Sequence, residues 1–383
     1  MPEEDMPEAT NGLFVSSDFD IFAHKPVQTS VQETIHTIYK PVAPVEQNDL
    51  EFVVPPESDT YIDLDFKLYV RGKLVSGDGK ALDDKDFTAV TNNFLHSLFR
   101  HCSITLNGVA ITQASELYHY RTYLETLLTY GTDAAASHLT NAFWYLDDGD
   151  MLPCDLTAEK TATTNKGFIT RWDRIKQSKE IQLSGRFHSD FYNVPLYLVP
   201  GVRIQIKLTK ARPSFYLMNK TADSKTHFKF LDAQLIVKRV KPHPNILIAH
   251  HTTLEKKFFA RYNFTRVELQ SFTFSSRSKS LSIDNAVLGP IPKRLLLTMV
   301  KNSDLNGSLD SNPFNLKHYD INHFTLFVSG KQVPNEGLTL GMDHEKTSVM
   351  GYNSLFEGSG IYHSNAGLQI THDMYINGFF VTL

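Results

Sequence analysis

From Tyr61 to Val75 the chain runs YIDLDFKLYVRGKLV, an alternation of apolar and polar side chains with a period of two. Ile62, Leu64, Phe66, Leu68, Val70 and Leu74 share one parity, and Asp63, Asp65, Lys67, Arg71 and Lys73 share the other. Successive side chains of a strand point to opposite sides, so this stretch predicts a long strand with one buried and one wet face. Similar strand patterns recur in two successive blocks, and no catalytic motif interrupts them. Such a chain is organised as a building block more than as a catalyst.

At 383 residues the chain has room for two domains of ordinary size. The 38 basic and 42 acidic residues nearly cancel, so the sum gives no footprint for sequence-independent nucleic-acid binding. Cys102 and Cys154 lie far apart, which is no disulfide framework, and reduced thiols are the expectation. The acidic start MPEEDMPEAT is unlike a secretory signal, and no run approaches the roughly 18 apolar residues a membrane helix needs. A soluble protein made in the cytosol is expected, with the sequons at Asn219, Asn263 and Asn306 as chance matches.

Residues 1–50 carry Pro26, Pro41 and Pro44 and no sustained periodicity, so they predict an extended arm laid along the body or a neighbour. Phe94, Leu95, Leu98 and Phe99 have the spacing of one helical face. Asn107-Gly108 inside SITLNGVAI marks a hairpin, because both residues accept positive φ in a type I′ turn. Ser115 is the expected cap of a helix presenting Leu117, Tyr120, Leu124, Leu127 and Leu128, ended by Gly131. From 133 to 179 the pattern dissolves into a long excursion holding Trp144 and Trp172, the type of insertion that makes contacts. Strand patterns return after Pro200-Gly201 at Val202, Ile204, Ile206 and Leu208, then at Ala233, Leu235 and Val237.

Lys241-Pro242-His243-Pro244 cannot sit within a sheet ladder, which places a domain boundary there. A short helix is expected over 245–258. Further strands are expected around Phe264, Val267, Leu269, Phe272 and Phe274, at Leu281 and Ile283, from Leu295 to Val300, and at Phe324, Leu326 and Val328 before the Ser329-Gly330 turn. Many short strands with turn signals and few helices indicate a sandwich or barrel, and two such blocks indicate two of them.

Candidate chemistry is sparse. His96, His101 and Cys102 cluster in sequence, but His96 is expected to face away from its helix's apolar side and Cys102 to enter the core as a small hydrophobe. His250-His251 are adjacent and cannot share a face. Asp83-Asp84 and Asp147-Asp148-Gly149-Asp150 resemble pieces of calcium loops without the closing glutamate, and solvated loop carboxylates are expected. Gly358-Ser359-Gly360 predicts a flexible turn, not a dinucleotide loop. Lys238, Arg239 and Lys241 are expected on a wet strand edge. No catalytic, cofactor-binding or metal-ligating residue is assigned, and no cofactor is expected.

The string resembles the double jelly-roll major capsid proteins of Polinton (Maverick) elements and adintoviruses, over nearly the whole chain from about Phe19. The segments that carry the resemblance are IFAHKPVQTSVQ (21–32), EFVVPPESDTYIDL (51–64), NNFLHSLFRHCSITLNG (92–108), YHYRTYLETLLTYG (118–131) and SHLTNAFWY (137–145). PGVRIQIKL (200–208), PKRLLL (292–297) and NPFNLKHYDINHFTLFVSGKQVP (312–334) complete them. The resemblance implies an all-β chain of two tandem jelly-roll sandwiches with short helices in the connections. Its parts would be an arm (1–50), a first jelly roll (51–243, with the 133–179 insertion) and a second jelly roll (244–383).

It also implies a non-enzymatic shell protein. Three chains would form a pseudo-hexagonal capsomer, capsomers would tile an icosahedron, and a single jelly-roll vertex (penton) protein would be a partner. The implied location is the virion, after synthesis in the host cytoplasm, with the nucleus open as the place of assembly. The family's sequence continues past the position of Leu383, so the second jelly roll is expected to lack its last strands and to be marginally stable. Jelly-roll enzymes of the cupin type would need paired histidines and a glutamate on strands, and nothing here matches that. The alternative is a domesticated or decayed transposon-derived jelly-roll protein acting as a binding module.

Overall fold

The computed structural model describes residues 28–46, 49–83, 86–112, 115–157, 161, 163–220, 225–275, 278–340, 348–377 and 380–382. In chain order the first half contains β1 (Val31–Tyr39), β2 (Leu50–Val54), β3 (Tyr61–Val75), β4 (Ala89–Val90), α1 (Phe94–Ser97), β5 (Phe99–Leu106) and β6 (Val109–Ala110). There follow α2 (Tyr118–Thr129), α3 (Thr132–Ala136), α4 (Lys166–Ile175), β7 (Ile181–Arg186), β8 (Ile204–Lys210), α5 (Pro213–Tyr216), β9 (Leu217–Met218) and β10 (His227–Pro242).

Two antiparallel four-stranded sheets result, ordered β1-β10-β3-β7 and β2-β8-β5-β6. The pairing is nested: β1 with β10, β2 with β8, β3 with β7, and β5 with β6 at the centre. That is one long hairpin of strands. It is rolled up by the additional pairs β10–β3 and β8–β5. The result is the jelly-roll arrangement, which manages its edges by wrapping two sheets around one core.

The core lies between the sheets. Ile62, Leu64, Phe66, Leu68 and Val70 of β3 are buried against Phe52 of β2, Ile104 of β5 and Ile206 and Leu208 of β8. Full burial of each such side chain contributes roughly 1.5–3 kcal/mol. The alternation of β3 thus predicted its inner face residue by residue, while Lys67 on the opposite parity is exposed. Asn107 and Gly108 both have positive φ (48° and 83°) and turn β5 into β6 as expected.

Several expectations are corrected. Helix α2 starts at Tyr118, its N-cap is Leu117, and no side chain caps it. Ser115 instead accepts the Leu117 N–H through its hydroxyl, two residues before the N-cap position. The 133–179 excursion is not a structureless loop: it contains α3 and α4, the latter capped by Asn165, whose side chain accepts from the Phe168 N–H at 3.0 Å. Strand β10 is not an edge, because it lies between β1 and β3. Arg239 accordingly sits buried, its guanidinium donating to Tyr39 Oη, Thr60 Oγ1 and the Pro55 carbonyl. Residues 31–39, expected within an arm, are extended and bonded along β10 as its outer neighbour. Of the expected arm, residues 1–27 and 47–48 lie outside the described residues.

Pro242 ends β10, and Pro244 opens the next helix, where its missing N–H costs nothing. The second half contains α6 (Pro244–Glu255), β11 (Leu296–Thr298), α7 (Asn302–Asn306), β12 (His323–Val328), β13 (Lys331–Thr339), α8 (Val349–Ser359), α9 (His372–Asn377) and β14 (Phe380–Thr382). Strands β11 and β14 pair, and β12 and β13 pair across the Ser329-Gly330 turn, giving two separate two-stranded ladders. Ser359 is the last residue of α8 and Gly360 its left-handed cap, so that triplet is a helix end and not a free turn.

No strand forms around Phe264–Phe274 or Leu281–Ile283. Alternation specifies which face a strand would bury but not which strand it pairs with, and neither ladder reaches this segment. The halves meet through a second core. There Tyr120, Tyr123 and Leu127 of α2, with Trp144 and Phe215, pack on Phe314, Leu340, Leu355 and Tyr375. Tyr123 and Phe314 stack with centroids 4.1 Å apart.

Candidate functional site

Three places in the molecule concentrate chemistry or unsatisfied surface. The first is built on Asp147, expected as a solvated loop carboxylate and found fully buried. Asn165, fixed as the cap of α4, donates its amide to Asp147 Oδ1 at 2.8 Å. Arg171, two turns further into α4, donates to Val90 O at 2.7 Å through Nε, and to Tyr145 O and the Asp147 carboxylate through its terminal nitrogens. Asn312 of the second half reaches in to donate to Asp147 Oδ2 at 3.0 Å and to Met151 O at 2.9 Å. Gly167 makes this close approach possible, since a Cβ there would lie 2.3 Å from the Leu146 carbonyl oxygen.

Both Asp147 oxygens are therefore occupied. Asp150 turns away to accept from the Leu152 N–H, and Asp148 accepts from the Lys166 N–H. The carboxylates diverge and offer no shared cation site. Asp84 of the other acidic pair lies outside the described residues.

The second place is a histidine network. All four residues of α1 are buried, so His96 has no solvent face to turn to, contrary to expectation. Its Nδ1 lies 3.2 Å from Tyr118 Oη, and its ring meets His188 edge-on at 4.8 Å. His188 Nδ1 is 2.8 Å from Glu125 Oε2. Arg121 donates through Nε to Glu125 Oε1 at 2.8 Å and through a terminal nitrogen to Asp190.

Burial, with His188 nearby, holds His96 well below the usual imidazole range, so the ring is neutral. Burial tends to raise Glu125, but the His188 hydrogen bond and the charges of His188 and Arg121 outweigh it and keep the carboxyl low. Cys102 does enter the core as expected, and burial pushes its thiol up to about 12, which leaves it inert as a nucleophile.

His101 instead bonds the Ser115 carbonyl, and His250 the Tyr61 hydroxyl, so the histidines do not converge. Among the described residues no group of three His, Cys, Asp or Glu could hold a metal ion. Two surface depressions, beside Ser115–Leu117 with 268–271 and beside 169–174 with Lys179, include neither His96, His188 nor Glu125. His96 closes the inner end of the network, while His188 and Glu125 keep partial exposure at its rim and neither depression reaches them. Trp144, expected as an interface anchor on the excursion, is itself buried. Its indole N–H donates to Gln369 at 2.7 Å inside the second core.

The third place is surface. No residue of α6 is buried, and His250 against Tyr61 ties it to the body. Phe258 and Phe259 beyond it are 65% and 84% exposed, and Phe264, Phe272 and Phe274 follow at 44–45%. These five phenylalanines lie exposed along one stretch of chain, 258–274. The sequence pattern contained this signal as strand alternation without an evident partner.

No family model matches the chain. The chain is similar to an uncharacterised protein of Caenorhabditis elegans, at 22% identity over 324 residues, spanning 82% of this chain and 74% of that one. Among solved structures it resembles a chain of the Sputnik virophage, with TM-score 0.40 and 11% identity over 61% of this chain and 53% of that one. It also resembles the Faustovirus major capsid protein (TM-score 0.36, 9% identity, 62% and 58%) and the mavirus major capsid protein (TM-score 0.32, 11% identity, 77% and 56%). The chain spans about half the length of the solved structures it matches. Among the described residues no helix is long and apolar enough to cross a membrane.

Proposed function

We propose that the chain is a structural capsid protein of the double jelly-roll type, related to those of Polinton elements and adintoviruses. The observation that carries this reading is the nested strand pairing of residues 31–242, a jelly roll whose interior is filled by side chains. A jelly roll also serves lectins and cupins. A cupin needs a cavity lined by metal ligands, and here Phe66, Ile104 and Ile206 occupy that interior. The ordered string of capsid-like segments, from 21–32 to 312–334, supports a shell protein over a lectin.

In this reading the two halves, meeting at Pro242–Pro244, act as two jelly-roll units of one chain. Three chains then present six similar units, which lets threefold symmetry tile a hexagonal lattice. The role is architectural and non-catalytic, the location is the virion, and a single jelly-roll vertex protein is the natural second partner. Electron microscopy of the purified protein tests this. Trimers with a six-lobed outline, or shells, support it, and particles that stay single chains at all concentrations reject it. A domesticated binding module is the second reading, favoured by the similarity to a nematode protein. It predicts the persistent monomer.

A further inference from the structure

The sheet order β1-β10-β3-β7 leaves β1 and β7 as its two edges. Strand β1 is bonded to β10 along one side, and its other side meets no strand among the described residues. Natural proteins blunt such edges with lysine, proline or a covering element, because a row of open N–H and C=O groups recruits another strand. Strand β1 has neither lysine nor proline among its nine residues; its charge, Glu33, and its register shift, between Val31 and Glu33, are confined to its start, and beyond them Ile35 and Ile38 stand 40% and 56% exposed.

The opposite edge carries a strand without a sheet. Residues 262–274 (YNFTRVELQSFTF) have strand composition and the alternating run Val267-Glu268-Leu269-Gln270, yet none of them lies in a strand or bridge. They are tied to the body just beyond β7. Tyr262 Oη donates to the Tyr197 carbonyl at 3.1 Å and accepts from the Val199 N–H at 3.0 Å. The Val267 N–H donates to the Asp190 carboxylate at 3.2 Å. A full sheet of about 14 Å, three strand spacings of about 4.8 Å, separates the two features, so they do not meet within one chain.

We propose that residues 262–274 of one copy add as a strand to the open edge of β1 in the next copy. Each half of this contact is present on every chain, which makes a second copy the occupant. The contact is head-to-tail, and head-to-tail contacts close into rings when the rotation permits. Main-chain bonds along β1 give the affinity, and the side chains of Phe264, Phe272 and Phe274 gain cover against the neighbour. This rests on the trimer reading above and names its contact.

The test uses two full-length variants beside the wild-type chain. The edge variant carries Thr34→Lys and Ile38→Lys, both at exposed positions. The segment variant carries Phe264→Asp, Phe272→Asp and Phe274→Asp. Native mass spectrometry should find each variant as a single chain and a one-to-one mixture as heterodimers that grow no further, because only one productive contact remains. A labelled 262–274 peptide should bind the segment variant and not the edge variant, which decides the matter even if one variant associates poorly or folds badly. Trimers from either variant alone, or a mixture that stays monomeric, would overturn this contact while a trimeric wild-type chain keeps the capsomer reading. A wild-type chain that never associates overturns both.

Discussion

The Asp147 carboxylate and the Arg171 guanidinium form an ion pair in which neither side chain has any solvent exposure. Asn165 and Asn312 complete it, so one buried carboxylate joins the excursion, helix α4 and the second half. Removing one member of a buried pair leaves the other uncompensated, at a cost of about 3–5 kcal/mol. Asp147→Ala should therefore lower the urea midpoint strongly. Asp148→Ala, two-fifths exposed and paired only with Lys166, should barely move it. Similar effects at the two positions would contradict the burial of Asp147.

Phe66 and Lys67 are neighbours on β3 with opposite surroundings, one buried and the other exposed. Phe66→Ala should cost about 3–5 kcal/mol, the usual range for a buried aromatic in a packed core. Lys67→Ala should cost little. Equilibrium denaturation of the two variants checks the register of the whole inner sheet.

The stacked pair Tyr123 and Phe314 holds the second half against α2. Phe314→Ala should cost a similar amount in that second core and leave the jelly roll intact. Limited proteolysis should then cut readily beyond residue 244 and spare a fragment ending near Pro242–Asn245. A fragment lost from the first half instead would place the weak joint elsewhere.

Acid should destabilise the fold. Burial brings His119 down to about 3 and His96 well below its ordinary value of 6.5, so the folded chain keeps both neutral where the unfolded chain protonates them. Their stabilisation is complete above about pH 6.5. It declines as pH falls from there toward the folded values, by up to about 1.4 kcal/mol per unit for each histidine. Glu125, lowered in the fold, adds a loss in the same direction once pH falls below its ordinary value of 4.5. Urea midpoints at pH 7.5, 6 and 5 should fall in order, and His119→Gln should flatten the slope. A midpoint independent of pH would show these histidines to be solvated.

Much of the first half was legible because its signals are local. A period of two exposes the inner face of β3, Asn-Gly specifies a turn, and Pro242 and Pro244 stop a strand and start a helix. What the sequence concealed depends on distant partners. Arg239 looks like one of three wet cations until β1 is placed on its far side. Asp147 looks solvated until Arg171 and Asn312 arrive from 24 and 165 residues away. Trp144 looks like an exposed anchor until Gln369 covers it. His96 sits on a helix too short to have a polar face. The strands expected at Phe264–Phe274 carry the right pattern, but a pattern cannot supply the neighbour that makes a strand.

Sedimentation equilibrium of the wild-type chain across a wide concentration range tests the account most directly. The chain mass is 43.4 kDa. A capsid building block should settle at three chain masses as concentration rises, without a stable two-chain plateau. A species that remains at one chain mass throughout would contradict it.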